Sequence, residues 1–457
     1  MNSRALPAQV DWLLALVVLA LAGQFLLLAN PGYFSHDELQ WGAFADRSGL
    51  SALRWVAWTG SDAFQYRPLT FNLWLVIGHF LFAHPHAYHA LWVAIGTLNA
   101  VLLFAMLRRW ELPAEYAFAA ALLFVLNPYS AYVHGWVGTL ADLLWLAAML
   151  CIASLALPRN ADTRLAQALR FIAIATLTAL ALLSKEAAVV IPGVCALAWL
   201  LAPEKRQWPL ATVASALPVA IYLLLRVGVI DAGASGSSYA WSLTDIPSRW
   251  LEYHLYSITP TVFEPASILL ASPRRLAFVA LLCLGLYAVV FKAHWRLGLG
   301  LLAGGMVVLG PVLLLGYSAG QYGYGFGALA CAIGAAAAWR LHGTRAFRAG
   351  LWLLALLLVW HGVNVQRTMR HVGQLQAVFS SQLAMLASQP ASTPLRLRSE
   401  TTNEDWVYQR LSHEIPAYRG QTIRRQIEIA GRDQPADYLI AADGSIRPLP
   451  AGEDAAK

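Results

Sequence analysis

The chain is 457 residues long, 58% of them hydrophobic and only 12% charged. A soluble domain carries about 25% charged residues, so a water-soluble enzyme of this size is excluded. The formal net charge of +7 is no nucleic-acid signature. Most of the basic residues stand between apolar stretches, where Lys and Arg report topology.

A membrane-spanning helix takes about 20 apolar residues, and about eleven stretches qualify, consuming roughly 220 residues. They fall near Trp12–Ala29, Tyr88–Leu107, Ala114–Leu126, Leu140–Leu157, Gln167–Leu183 and Ala187–Leu201. The later ones lie near Leu210–Leu225, Leu276–Phe291, Leu297–Gly316, Tyr322–Trp339 and Gly350–Val365. The first has no basic n-region beyond Arg4 and no A-x-A site, so it reads as an uncleaved helix rather than a signal peptide. A shorter run, Leu69–Phe82, suits a helix lying at the membrane surface within the first outer loop. The cysteines Cys151, Cys195, Cys283 and Cys331 all fall inside apolar segments, without disulfide or metal-ligand spacing. They read as small buried hydrophobes.

Alternate loops carry Arg108-Arg109, then Arg159, Arg164 and Arg170, then Lys205-Arg206, and later Lys292, Arg296, Arg340, Arg345 and Arg348. The positive-inside rule makes that side cytoplasmic, with Arg274-Arg275 as the exception. The N-terminus is then inside and the C-terminal tail outside. The tail, residues 366–457, regains soluble composition. It reads as a helix continuing to about Ser388 followed by a small α+β domain, with residues 1–365 forming the transmembrane unit. The predicted fold is therefore an all-α polytopic membrane protein with an α+β extracytoplasmic appendage.

Candidate chemistry gathers on the outer face. Ser35-His36-Asp37-Glu38 follows the first span. Adjacent carboxylates beside a His suit a general base or a metal corner, although an Asp capping the next helix explains the pair as simply. The same loop runs through Asp62 to Tyr66-Arg67-Pro68-Leu69. Its guanidinium would grip a phosphate by paired hydrogen bonds or anchor to lipid headgroups. Asn127-Pro128 and Asp142 come next. An ionised carboxylate inside a span is costly unless it faces protein or water. Ser184-Lys185-Glu186 sits between two spans, where lysine and glutamate are expected to pair, the alternative being a lysine on a lipid phosphate. Last comes a Gly/Tyr turn containing Gln321 and Tyr322.

In this order these motifs resemble polytopic glycosyltransferases of the GT-C superfamily, closest to the TMTC-like and protein O-mannosyltransferase-like branches. The likeness covers Asp11 to Leu201 well and the rest through topology. It departs at Gln321, where the TMTC-like pattern has an Arg, and in lacking tetratricopeptide repeats.

The resemblance implies a polyprenyl-phosphate sugar donor used at the outer face and a first-loop carboxylate acting as base. Transfer proceeds with inversion to a glycan, lipid or protein hydroxyl. It makes Asp37 the base, with Glu38 its substitute or metal partner. Arg67 and Lys185 become phosphate-gripping residues, while His36, Tyr66, Asp142, Glu186, Gln321 and Tyr322 shape the site. Whether a metal takes part stays open; a divalent cation, Mg2+ or Mn2+, is the one the first loop would take, on Asp37 and Glu38. The short loops suit a bacterial inner membrane with the site in the periplasm.

Two other readings remain, an O-antigen ligase or polymerase with a diphosphate-linked donor and a flippase of lipid-linked sugars. Transporters show repeat symmetry and midplane polar residues. Here no repeat stands out and ionisable residues gather at one face, which favours an enzyme.

Overall fold

In lipid every backbone polar group must be satisfied within the chain, so long apolar runs become helices. The computed structural model describes residues 5–53, 66–157, 163–202, 207–231, 241–341, 345–432 and 434–449. Asp62, Arg159, Lys205 and Arg206 lie outside the described residues.

The first helices are α1 (Ala5–Gly23), α2 (Phe25–Leu28), α3 (His36–Ser48), α4 (Pro68–Leu81) and α5 (Pro85–Arg109). There follow α6 (Ala114–Leu126), α7 (Pro128–Gly135), α8 (Leu140–Leu155), α9 (Arg164–Ser184), α10 (Ile191–Leu201) and α11 (Trp208–Asp231). The last helices before the tail are α12 (Ile246–Tyr256), α13 (Pro273–Ala293), α14 (Trp295–Leu309), α15 (Tyr324–Arg340) and α16 (Arg345–Ala387).

Among the described residues, seven helices are long and apolar enough to cross a membrane, or eight if the pair α6 and α7, bent by 53° at Asn127, is one span. The sequence predicts about eleven spans. All eleven stretches are largely helical, but Glu186–Leu201 and the 17-residue α15 fall short of that length, and α1 spans 19 residues. Leu165, Ile172, Leu224, Phe278, Leu281 and Leu353 stand exposed on the outside of the bundle, where hydrocarbon rather than water would suit them.

Inside the bundle a polar network ties four helices or their ends together. His134 Nδ1 donates to Gln24 Oε1 at 2.6 Å, and its Nε2 accepts from the Tyr324 hydroxyl at 2.9 Å. Asn99 Nδ2 donates to that same hydroxyl oxygen at 3.2 Å.

The helix α16 runs unbroken through residue 366 and ends at Ala387. Val365, Met369, Val372, Phe379 and Leu383 recur on one buried face at the spacing of an amphipathic helix. Gly32 and Gly373 let the first loop cross α16 closely, since a Cβ at Gly32 would lie 2.1 Å from the Gly373 carbonyl oxygen. Gln376 then joins loop to tail, accepting from the Tyr33 N–H at 2.9 Å and donating to the Tyr418 hydroxyl at 3.2 Å.

The tail holds β1 (Leu395–Ser399), α17 (Asp405–Ser412), a hairpin of β2 (Ala417–Tyr418) and β3 (Gln421–Thr422), then β4 (Ile427–Ala430), β5 (Tyr438–Ile440) and β6 (Ile446–Pro448). Its four-stranded sheet has the order β4-β1-β5-β6, with β1 parallel to β4 and β5 and β6 antiparallel to β5. Leu395, Leu397, Tyr408, Leu411 and Ile440 pack with Phe379 in a core continuous with that of the bundle. The tail is thereby seated on the end of the bundle that carries α3.

Candidate active site

Several segments, distant in sequence, meet at that end. Ser35 is the N-cap of α3 and forms a capping box with Glu38. Glu38 Oε2 accepts the backbone N–H of Phe34 at 2.6 Å and of Ser35 at 2.7 Å, and Oε1 accepts that of Val137 at 2.9 Å. The cap expected from an Asp is thus made by Ser35 and Glu38. A side chain at the third helical position reaches back over the helix end, whereas its neighbour Asp37 is turned about 100° away. Burial pushes the Glu38 carboxyl up to about 8, against the pull of its N–H donors and of the Arg410 charge.

Asp37 keeps 40% of its side chain exposed and lies 3.2 Å from His36 Nε2. Burial holds the His36 imidazole below its ordinary range, and the Asp37 carboxylate opposes this in part.

The tail covers this corner with α17. The Arg410 guanidinium lies 4.3 Å from the ring centroid of Phe34 and 5.1 Å from that of Trp136. The His413 ring stands edge-on to His36 at 4.9 Å, and Gln40 Nε2 donates to the carbonyls of His413 and Glu414 at 3.2 and 3.3 Å. Phe263 and Trp406 pack edge-on around Phe34. Glu264 closes the wall, accepting from the Tyr132 hydroxyl at 2.5 Å and from the Gly320 N–H at 3.2 Å. Its carboxyl is raised by burial.

A second group of charges lies where α4, α8 and the end of α9 converge. Arg67 binds Glu186 by two hydrogen bonds, at 2.6 and 2.8 Å, the fork geometry that favours guanidinium–carboxylate pairs. Lys185 pairs with Asp142, and both are buried. The expected Lys185–Glu186 pair is therefore replaced by two pairs with more distant partners. Lys185 has extended backbone (φ −156°, ψ 132°), which sends successive side chains in opposite directions. Tyr66 lies 5.4 Å from the Arg226 guanidinium and 6.1 Å from the Tyr222 ring.

The turn Gly320–Gly323 touches both groups. Its first N–H binds Glu264, and its Tyr322 ring centroid lies 5.1 Å from Lys185 Nζ. Gln321, in the same turn, is buried with its Oε1 unpartnered.

All ten residues singled out from the sequence therefore fall in one region, divided into two groups. His36, Asp37 and Glu38 form the open corner. Tyr66, Arg67, Asp142, Lys185, Glu186 and Tyr322 form the ion-pair group, with Gln321 in the turn between. Glu264, Arg410 and His413 join them without any signal in the sequence. The first sits in a loop with no motif, and the other two lie in a tail helix of ordinary soluble composition.

A divalent cation does not fit Asp37 and Glu38, the first-loop carboxylates among the described residues. Both Glu38 oxygens are taken by backbone N–H groups, and Asp37 faces away. Among the described residues no three His, Cys, Asp or Glu side chains come together to hold a metal.

No family model and no curated protein matches the chain. Among solved structures, the single-particle cryo-EM structure of the arabinofuranosyltransferase AftD from Mycobacteria is similar, with a TM-score of 0.41 and 16% identity. The match covers 94% of this chain and 35% of that one, so the chain spans about a third of its length.

Proposed function

We propose that the chain is a membrane glycosyltransferase that moves a sugar from a polyprenyl-phosphate-linked donor to an acceptor hydroxyl, with inversion. The reaction takes place at the outer face, the periplasmic side of a bacterial inner membrane. The observation that carries this reading is Asp37, a half-exposed carboxylate at the end of a bundle of membrane-length helices. It stands in a corner walled by Phe34, Trp136, Trp406 and the Arg410 guanidinium.

In this mechanism the Asp37 carboxylate takes the proton of the acceptor hydroxyl. The acceptor oxygen bonds to the anomeric carbon from one face, and the bond from that carbon to the phosphate oxygen breaks on the other. Its electron pair leaves with the polyprenyl phosphate. His36 orients Asp37, and Glu38 holds the turn that presents it. General-base assistance of this kind contributes about 100- to 10,000-fold.

The test is release of free polyprenyl phosphate by purified protein in detergent, against a panel of polyprenyl-phosphate sugars. Turnover that vanishes in a folded Asp37→Asn variant supports the reading. Donor binding without turnover by the native chain would make it a carrier of lipid-linked sugars instead.

A further inference from the structure

A departing phosphate gains charge as the sugar leaves it, and that charge needs a cation aimed at it. The cations nearest to hand in the sequence are Arg67 and Lys185, yet each is already held by a carboxylate. The Arg67 guanidinium has its side-on fork, Nε and Nη2, committed to Glu186.

Arg410 differs in every respect. It rests on the faces of Phe34 and Trp136, and its Nε is buried without a hydrogen-bond partner. Two carboxylates, Glu38 and Glu264, feel its charge. Each is satisfied by other donors: Glu38 by three backbone N–H groups, Glu264 by Tyr132 and Gly320. Aromatic faces fix a guanidinium plane at little cost in hydration, since it is more weakly hydrated than an ammonium. The result is a pre-oriented guanidinium with an unused Nε donor, whose charge reaches His36 and Glu38 and which is brought there by the tail.

Resting on the glycosyltransferase reading, we infer that Arg410, carried by the C-terminal α+β segment, binds the phosphate of the lipid-linked donor and stabilises it as the leaving group. The tail is then part of the active site, because among the described residues the bundle alone would leave the corner with carboxylates and no open cation. The ligand chemistry is a phosphate monoester or diester on a lipid. A membrane phospholipid headgroup presents similar chemistry, so the test separates the two.

The probe is decaprenyl phosphate titrated into the full-length protein in detergent, with phosphatidylglycerol as a parallel arm. The variants are Arg410→Met, which keeps a polarisable chain against the two rings, and Arg67→Met as a control. Arg410→Met is expected to bind decaprenyl phosphate at least tenfold more weakly and to release it from a sugar donor about 100-fold more slowly. Its thermal midpoint should stay near that of the native chain, and phosphatidylglycerol binding should not change.

Native affinity for decaprenyl phosphate in Arg410→Met overturns the inference, as does equal weakening for both lipids. A native chain that binds no decaprenyl phosphate also overturns it. If Arg67→Met rather than Arg410→Met loses the lipid, the cation is misassigned. Arg410-dependent binding in a native chain that turns over no donor would leave this site standing and remove the glycosyltransferase reading. Turnover indifferent to Arg410 would do the reverse.

Discussion

Around Lys185, four charged side chains stand as two ion pairs, Arg67 with Glu186 and Lys185 with Asp142. Around His36, Asp37 remains 40% exposed, and the Arg410 guanidinium lies on aromatic rings. Both groups sit at the same end of the bundle, linked by the turn Gly320–Gly323. The buried Lys185–Asp142 pair sacrifices hydration for fixed geometry, while Arg67–Glu186 stays partly exposed; together they fasten α4 and α8 to the end of α9, where Thr70 also donates to the Ser184 carbonyl at 2.8 Å. The open corner has groups to spare for a ligand. Under the proposed function the reacting centre is marked by unmatched charge rather than by charge density.

The sharpest way to break this contrast is at Asp37. Asp37→Asn should lower sugar transfer about 100- to 10,000-fold and leave the thermal midpoint almost unchanged, because the side chain is half exposed. Assay of polyprenyl phosphate release beside a melting curve reads both. Full turnover in this variant would place the base elsewhere.

The ion-pair group should respond in the opposite way. Asp142→Leu strands a buried lysine, and breaking a buried pair costs about 3–5 kcal/mol. The double variant Asp142→Leu with Lys185→Met should recover most of that stability, which denaturant unfolding of the four members of the cycle would measure. A double variant as unstable as the single one would show that the pair does more than neutralise itself.

Between these extremes lies Glu38. Glu38→Gln turns one acceptor oxygen into a donor facing a backbone N–H, at about 1–3 kcal/mol for each group left unpaired. Thermal unfolding should show this loss, and transfer should fall with it as the turn under Asp37 loosens. Unchanged stability would mean that the capping box is dispensable.

The smallest effects are in pH. The Glu38 carboxyl is raised from 4.5 to about 8. Its stabilising contribution is thus complete below 4.5 and lost as pH rises through about 8. The His36 imidazole is lowered from 6.5, so its contribution is complete above 6.5 and lost as pH falls towards its lowered value. Melting midpoints between about pH 5 and 9 should drop on both flanks. Glu38→Gln should flatten the alkaline side and His36→Asn the acid side; a profile insensitive to both substitutions would remove these groups from the balance.

Much of the helical framework was legible because hydrocarbon leaves an apolar run no other way to satisfy its backbone. The end of α16 near Ser388 was readable from the change in composition. The surface-helix candidate Leu69–Phe82 appears as α4 over Pro68–Leu81. The capping box was written in the sequence too, as Ser35 and Glu38 three apart, but the more conspicuous Asp37 drew the capping role. Lys185 shows where sequence proximity misleads. Glu186 is its neighbour, yet extended backbone turned the two side chains apart and gave the lysine to Asp142, on another helix.

The sequence by itself determined which residues would be helical, which loops would carry ionisable groups, and that a carboxylate would stand just after the first apolar helix. These follow from local composition and period, which act within a few turns of chain. Only the tertiary structure decided which charges cancel and which stay open. That choice depends on contacts across 119 residues, as from Arg67 to Glu186, or on the reach of a tail helix back to Phe34. Electrostatic pairing is a property of distance in space, and chain order does not contain it.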